Sequence, residues 1–318
     1  MRLVILGAGA IGGVVAGHLA RAGREVLLLA RGEHLAAIRA NGLRVDTLDG
    51  GFTVGVPCAA PTDPIAWAAG DVLVVALKTQ DITAALNALG APASVPILCL
   101  TNGLEAERIA LRHAREVYAS CVIIPASYLV PGSVQTFGTP VPGLLDLGRY
   151  PDGAGGLADE LAGELVVAGF GCEVRTNIMK WKRYKLLANL ANSAEALSGP
   201  AARSSMIAAL AKAEARAVYE AANLACITAA EDGARRGDFR HGEIAGVARS
   251  AGSTWQSLAK GGSLETDYLN GEIVMLGRVH GVATPVNEAL QALAAEAART
   301  RQPAGALSLD ELMARIVP

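Results

Sequence analysis

Apolar residues follow two rhythms along this 318-residue chain. RLVILG is a short run rich in leucine and β-branched side chains that stops at a glycine, and IGGVVAGHLARAG then carries its apolar positions at helical spacing. That order predicts strand, turn and helix. After Gly23, EVLLLA predicts a second strand, and DVLVVALK and SVPILCLTNGL have the unbroken apolar character of parallel strands covered on both faces. LRVDTLDGGFTVGVPCAA predicts a strand pair around a glycine-rich turn, and REVYASCVIIPASYLVPGSVQTFG predicts further strands with a Pro-Gly turn. The helix GLADELAGELVVAG and a short strand, CEVRTN, complete the pattern. Beyond it, proline and glycine thin out within Ala- and Leu-rich segments such as SMIAALAKAEARAVYEAANLACITAA, which predicts helices only. The expected architecture is an α/β domain over residues 1–176 followed by an all-helical domain over 177–318.

Composition narrows the partners. Lys plus Arg (28) nearly balance Asp plus Glu (30), so no global field draws in nucleic acid or anionic lipid, and a small molecule is the expected partner. Five cysteines, Cys58, Cys99, Cys121, Cys172 and Cys226, are widely spaced without CxxC pairing, which suits reduced core thiols and indicates neither a disulfide framework nor a metal site. One Arg before an apolar N-terminal run imitates a signal peptide, but the glycine spacing favours a nucleotide-binding turn. No stretch has the roughly 18 consecutive strongly apolar residues of a membrane span. A cytoplasmic location is expected.

The glycine turn carries the first chemistry. In GAGAIG, Gly7 permits a tight turn, Gly9 lets the backbone approach a diphosphate, and Gly12 lets helix and strand pack closely. A helix opening there offers N–H groups and partial positive charge to phosphates. A lone GxGxxG is a weak signal, but here it follows a strand, opens a helix and precedes a second strand within about 30 residues. Gly7, Ala8, Gly9, Ala10, Ile11 and Gly12 are therefore candidate cofactor contacts, and the fold is expected to be of the Rossmann type. Where an acidic residue would accept the ribose hydroxyls of NAD stands Arg31, which suits the 2′-phosphate of NADP; Glu33, two residues on, would favour NAD if it faced the ribose. Lys78 and Asn102 follow strand ends and so are candidates to line the cofactor, against the plainer reading of Lys78 as a loop cation.

KRYKLLANLANS sets polar residues into an otherwise apolar helix. Lys185, Asn189 and Asn192 share one helical face, leaving Leu186, Leu187 and Leu190 for the buried side. Taken alone, that face reads equally as a solvated stripe, the role assigned to Lys182 and Arg183.

GAGAIG, ALKTQD, TNGLE, KLLANLAN, the STWQSLAKGGSLETDYLNG block and GVATPVNEAL occur in the order and spacing of the ketopantoate reductases (2-dehydropantoate 2-reductases), and the resemblance covers nearly the whole chain. Its most specific parts are the C-terminal ones, which no generic Rossmann protein requires. The resemblance implies an N-terminal Rossmann domain and a C-terminal helical domain, with reduction of a 2-oxo acid ketone by NADPH in the cleft that such proteins form. It implies that Lys185 is the catalytic lysine and Glu265 its acidic partner, engaging the substrate hydroxyl and lying close enough to the cofactor to count among its contacts. It further implies that Ser253, Asn102, Asn189 and Asn192 bind substrate, and that Gly7, Gly9, Gly12, Arg31, Lys78 and Asn102 contact NADP(H).

The chemistry stands apart from the resemblance. Hydride arriving at a carbonyl carbon leaves an alkoxide, and a positively charged donor placed beforehand lowers that barrier. Burial would depress a lysine pKa while a nearby Glu265 would favour its charged form, so the net shift stays open. Plainer roles also stand beside the catalytic ones: Glu265 with Thr266 and Asp267 as a helix start, Ser253 as an N-cap. Two departures from the pattern concern substrate choice. Ser193 stands where a second asparagine is common, with Asn192 one place earlier, and Trp255 stands near Ser253 where a slimmer residue is common. The alternatives are therefore a relative acting on another, bulkier 2-oxo acid, and a nucleotide-sensing protein without catalysis. A homodimer through the Ala-rich helices is compatible with the sequence.

Overall fold

The structure is a computed structural model that describes residues 1–246 and 252–316. The first two residues of the SAGST motif, Ser250 and Ala251, lie outside the described residues. The chain divides into two compact units: Met1–Trp181 with Thr228–Arg249, and Lys182–Ile227 with Ser250–Pro318.

Chain order in the first unit begins β1 (Arg2–Leu6), α1 (Ala10–Arg21), β2 (Glu25–Leu29), α2 (Gly32–Asn41), β3 (Leu43–Asp46), β4 (Phe52–Val54) and β5 (Cys58–Ala59). It continues with β6 (Asp71–Val75), α3 (Thr79–Leu89), β7 (Ile97–Cys99), α4 (Ala106–Ala110) and β8 (Val117–Ile123). Then come β9 (Ala126–Ser127), β10 (Ser133–Thr136), β11 (Gly138–Thr139), β12 (Leu144–Arg149) and α5 (Gly156–Val167). Seven strands form one sheet in the order β12-β8-β7-β6-β1-β2-β5. The pairs linking β5, β2, β1, β6, β7 and β8 are parallel, and β12 runs antiparallel to β8. β1 lies between β2 and β6, so the winding reverses there, and in open α/β sheets ligands bind beyond the strand ends at such a switch point. Segment CEVRTN, expected as a strand, makes only one isolated bridge, Val174 with Leu147, beside another from the preceding Gly171 to Leu144.

The glycines of α1 explain how this sheet is covered. A Cβ at Gly13 would meet Val134 at 2.7 Å, and one at Gly17 would meet Val45 at 2.5 Å. Both valines belong to a second sheet, ordered β4-β3-β10-β9, which lies on α1. Glycine inside a helix costs about 1 kcal/mol relative to alanine, and here it permits a sheet to sit directly on the helix backbone. The expected strand pair with its glycine turn is the β3–β4 hairpin, Leu43 opposite Val54.

Thr228–Arg249 returns to the first unit, unlike in the sequence reading, which placed all of 177–318 in the second domain. An ion pair accounts for this. Within the segment, α9 (Ala229–Arg236) carries Arg235, whose guanidinium makes paired hydrogen bonds to the buried carboxylate of Asp146 on β12, at 2.6–2.9 Å; Arg175 adds another at 3.1 Å. Isolated, a buried Asp146 would be costly; flanked by two guanidiniums it is compensated. A short strand, Arg240–His241, pairs with β11. Periodicity carries no trace of either contact.

The second unit is helical: α6 (Ile178–Asn189, which begins just before the division), α7 (Ala191–Ser198), α8 (Met206–Ala221), α10 (Ser253–Ala259), α11 (Asn270–His280), α12 (Pro285–Thr300) and α13 (Leu309–Ile316). Among the described residues, no helix is long and apolar enough to cross a membrane.

His18 on α1 lies edge-on to Phe52 and Phe170, both ring centroids at 5.2 Å. Burial pushes its pKa down to about 4, against a weaker rise from a hydrogen bond to the backbone of Ala168. The unfolded chain therefore takes up this proton near 6.5 and the folded chain only near 4, so stability falls as pH drops through that window, by about 3 kcal/mol. Urea unfolding at pH 7 and pH 4 should show wild type losing about that much more stability than His18→Leu; equal losses would contradict the assignment.

Candidate active site

Parallel register brings the sequence-predicted cofactor residues to one edge of the first unit. Leu6 pairs with Leu29 and Val75, and Val75 with Cys99, so β1, β2, β6 and β7 end side by side. Immediately beyond those ends come the Gly7–Gly12 turn, Arg31, Lys78 and Asn102. Arg31 is exposed at the N-cap of α2, with Glu33 in the first turn; Lys78 is half-buried at the N-cap of α3, and Asn102 is half-buried after β7.

The turn has the geometry a dinucleotide needs. Gly7 has φ +111°, where a side chain is strained, and a Cβ there would meet the Ala76 carbonyl at 2.6 Å. A Cβ at Gly12 would overlap the Gly7 carbonyl, so only glycine lets α1 start this close to β1. Gly9 differs: an added Cβ would meet nothing within 4 Å. Gly9 is also the N-cap of α1, with no side-chain cap and no acidic residue in the first turn. A helix N-terminus with such a cradle, left to be satisfied by something other than its own side chains, fits a diphosphate.

In the second unit, Lys185 and Asn189 are both half-buried and one turn apart on α6, and Leu186, Leu187 and Leu190 are buried as the pattern predicted. Asn192 behaves differently. α6 gives way to α7 at Leu190, and Asn192 is buried, its side-chain oxygen accepting from Arg203 at 2.8 Å. The solvated role expected for Lys182 and Arg183 fails for Lys182, which is only 3% exposed; Arg183 is half-exposed and donates to the carbonyl of Ala225 at 2.7 Å in a solvent-facing bond. Long aliphatic stems let charged residues of this kind line an interior face, which a helical wheel cannot register.

α7 ties the remaining candidates together. Ser193 is fully buried, donating to the side-chain oxygen of Asn270 at 2.7 Å and lying 3.1 Å from the hydroxyl of Thr266, the residue after Glu265. Asn270 donates to the Leu190 carbonyl at 3.1 Å, where α6 is interrupted, and to Asn287 at 3.0 Å. Asn287 donates to Glu214 at 2.7 Å and to the Ala211 carbonyl at 3.0 Å. Glu214 in turn accepts the amides of Val286 and Asn287 at the start of α12. The LNG and TPVN motifs thus supply interior hydrogen-bond partners. On the other side of α7, Glu195 is buried and pairs with Arg203 at 2.7 Å. A Cβ at Gly252 would collide with the Glu195 carboxylate, so the residue preceding Ser253 is held against α7.

The plainer readings of two candidates fare differently in local geometry. Gly252, not Ser253, is the N-cap of α10, and Ser253 is exposed in its first turn. Glu265 is half-buried at the N-cap of a 3₁₀ turn, Thr266–Tyr268, with Asp267 in that turn, so it does stand at a helix start, though its side chain makes no capping hydrogen bond there. Trp255 packs against Gly305, where an added Cβ would meet its ring at 2.6 Å. Sequence reasoning missed Glu195, Arg203, Glu214, Asn270 and Asn287; the available signal was charged or amide side chains at helical positions otherwise apolar. Among the described residues, no group of three His, Cys, Asp or Glu is placed to hold a metal.

Comparison with known proteins gives the same frame. Residues 3–152 match the sequence model described as ketopantoate reductase PanE/ApbA, and residues 177–298 match its C-terminal counterpart. The chain belongs to the ketopantoate reductase PanE/ApbA family. Members of this family are oxidoreductases. A 2-dehydropantoate 2-reductase of Mesorhizobium japonicum is 31% identical over 92% of this chain and 96% of its own. The crystal structure of a PanE/ApbA family ketopantoate reductase from Ralstonia eutropha JMP134 is similar with a TM-score of 0.79 and 29% identity, covering 95% of this chain and all of that one. A D-mandelate dehydrogenase with NADH and anilino(oxo)acetate shares the fold at TM-score 0.81 and 23% identity, over 95% of this chain and 99% of that one.

The contrast between two glycines is testable. Gly12→Ala should lower the melting temperature by several degrees, because helix and strand must separate. Gly9→Ala should leave it within about 2 °C while weakening dinucleotide binding in a fluorescence titration. Equal thermal losses in both variants would contradict the reading of Gly9 as an open cradle.

Proposed function

We propose that this chain is an NADPH-dependent 2-oxo acid reductase acting on 2-dehydropantoate, with the first unit serving the cofactor and the second the substrate and the proton. The observation that carries the reading is the alignment of parallel strand ends that sets an uncapped helix start, Arg31, Lys78 and Asn102 along one edge, in a chain that retains Lys185, Ser253 and Glu265. NADPH, when bound, supplies the hydride that reduces the ketone carbon. The amides at residues 9–12 hold its diphosphate, the Arg31 guanidinium its 2′-phosphate, and Lys78 and Asn102 the nicotinamide end.

Lys185 donates a hydrogen bond to the ketone oxygen and gives up its proton as the alkoxide forms, so the product is the 2-hydroxy acid. Glu265 orients that ammonium and accepts from the product hydroxyl. Ser253, Asn102 and Asn189 hold the substrate carboxylate and hydroxyls, fixing the ketone for transfer. A nucleotide sensor needs none of these groups. The place of action is the cytoplasm and the assembly a homodimer through the Ala-rich helices.

A second reading is a bulkier 2-oxo acid as preferred substrate. It is favoured by Trp255 beside the Ser253 helix start and by the fold shared with a D-mandelate dehydrogenase.

NADPH oxidation measured with 2-dehydropantoate and a panel of branched and aromatic 2-oxo acids should show the highest kcat/KM for 2-dehydropantoate. Preference for an aromatic acid would establish the second reading instead. Lys185→Ala should lower kcat about a thousandfold while leaving NADPH binding intact. Undiminished turnover in that variant would remove the proposed chemistry.

A further inference from the structure

His34 lies near the start of α2 and is only 6% exposed. Its Nε2 is 2.8 Å from the carbonyl oxygen of Ala8, inside the glycine turn, and the backbone amide of Gly132 donates to its Nδ1 at 2.8 Å. An amide N–H can only donate, so Nδ1 must present a lone pair. The ring proton is then on Nε2 and is donated to Ala8. Burial favours this neutral ring by holding the His34 pKa below its ordinary value.

Both sides of the ring are braced. Gly132 is the third residue of a turn closed by the Ser133 amide on the Val130 carbonyl at 3.1 Å, and its φ of +84° is the value a type II turn requires there. The Arg44 amide, on β3, donates to the Gly132 carbonyl at 2.9 Å, and the Tyr128 ring lies over the imidazole at 4.5 Å. His34 therefore connects a rigid turn in the second sheet to residue 8 of the glycine turn. A trans peptide points its carbonyl and the following N–H in opposite directions. With the Ala8 carbonyl held toward His34, the Gly9 N–H is turned away from it, at the residue where an added Cβ would meet open space.

We infer that His34 is a positioning residue for the dinucleotide: by fixing the plane of the Ala8–Gly9 peptide it aims the Gly9 N–H at the diphosphate. The inference rests on the dinucleotide binding proposed above. It assigns a task to a residue that belongs to neither the glycine motif nor the catalytic set.

Two variants separate the ring's two bonds. In His34→Asn the amide oxygen replaces Nδ1 and nothing reaches Ala8; in His34→Gln the amide nitrogen replaces Nε2 and the acceptor for Gly132 is lost. Fluorescence titration should show the NADPH Kd of His34→Asn raised about tenfold, with kcat at saturating NADPH and KM for the 2-oxo acid little changed. His34→Gln should bind within about threefold of wild type. Wild-type affinity in His34→Asn, or equal weakening in both variants, would overturn the inference. In the unliganded wild type, imidazole nitrogen NMR near neutral pH should show the proton on Nε2; a proton on Nδ1 would also overturn it. Failure of wild type to bind NADPH would overturn the underlying reading too, whereas wild-type binding with unaffected His34→Asn would overturn this inference alone.

Discussion

Close approach of α1 to β1 governs the first unit. With no side chain tolerated at Gly12 and a positive φ at Gly7, the helix starts against the carbonyl it has just left. Its first amides are therefore delivered to the edge where β1, β2, β6 and β7 end together. Gly13 and Gly17 extend the same principle to the opposite side of the helix, admitting Val134 and Val45 of the second sheet. A helix so rich in glycine is intrinsically weak. Burial between two sheets stabilises it, and the stability of the turn is then inseparable from the packing of β3 and β10.

The second unit solves a different problem. Lys185 and Asn189 need a helix that keeps its polar face accessible while the chain turns at Leu190. Breaking a helix leaves a carbonyl to satisfy, and Asn270 satisfies it from α11. Around that bond stands a connected interior network of Ser193, Asn270, Asn287 and Glu214. Buried polar groups stabilise only when every member is paired, and such a network fixes helix register in a way apolar contacts do not. The effect reaches the candidate site through Thr266, which touches Ser193 and adjoins Glu265. The first effect of a serine at position 193 is therefore on interior hydrogen bonding.

Much of this was legible in the sequence, for definite reasons. Strand ends and the glycine turn announce themselves because a parallel sheet buries both faces of each strand and because backbone conformation restricts residue type at Gly7. Lys185 and Asn189 could be placed on one face by spacing alone. Asn192 and Lys182 could not, since whether a polar side chain turns inward depends on partners such as Arg203 that are near in space and distant in helix phase. The return of Thr228–Arg249 to the first unit was invisible for the same reason: it depends on Arg235 meeting Asp146, 89 residues away. TPVN and LNG stand out as motifs in the sequence, but their physical role lies in the bond from Asn270 to Asn287, which spacing does not show. His34 gave no signal, because a single histidine near a helix start is unremarkable until Ala8 and Gly132 are found on its two nitrogens.

In the proposed reaction the first unit contributes an anion-ready helix start and the second a lysine-bearing helix, and the helix start is the foundation. A crystal structure of the chain with NADP⁺ bound tests that foundation. The diphosphate should be hydrogen-bonded to the amides that open α1, with the 2′-phosphate at Arg31. A dinucleotide seated elsewhere, or one whose diphosphate avoids the Gly7–Gly12 turn, would contradict it.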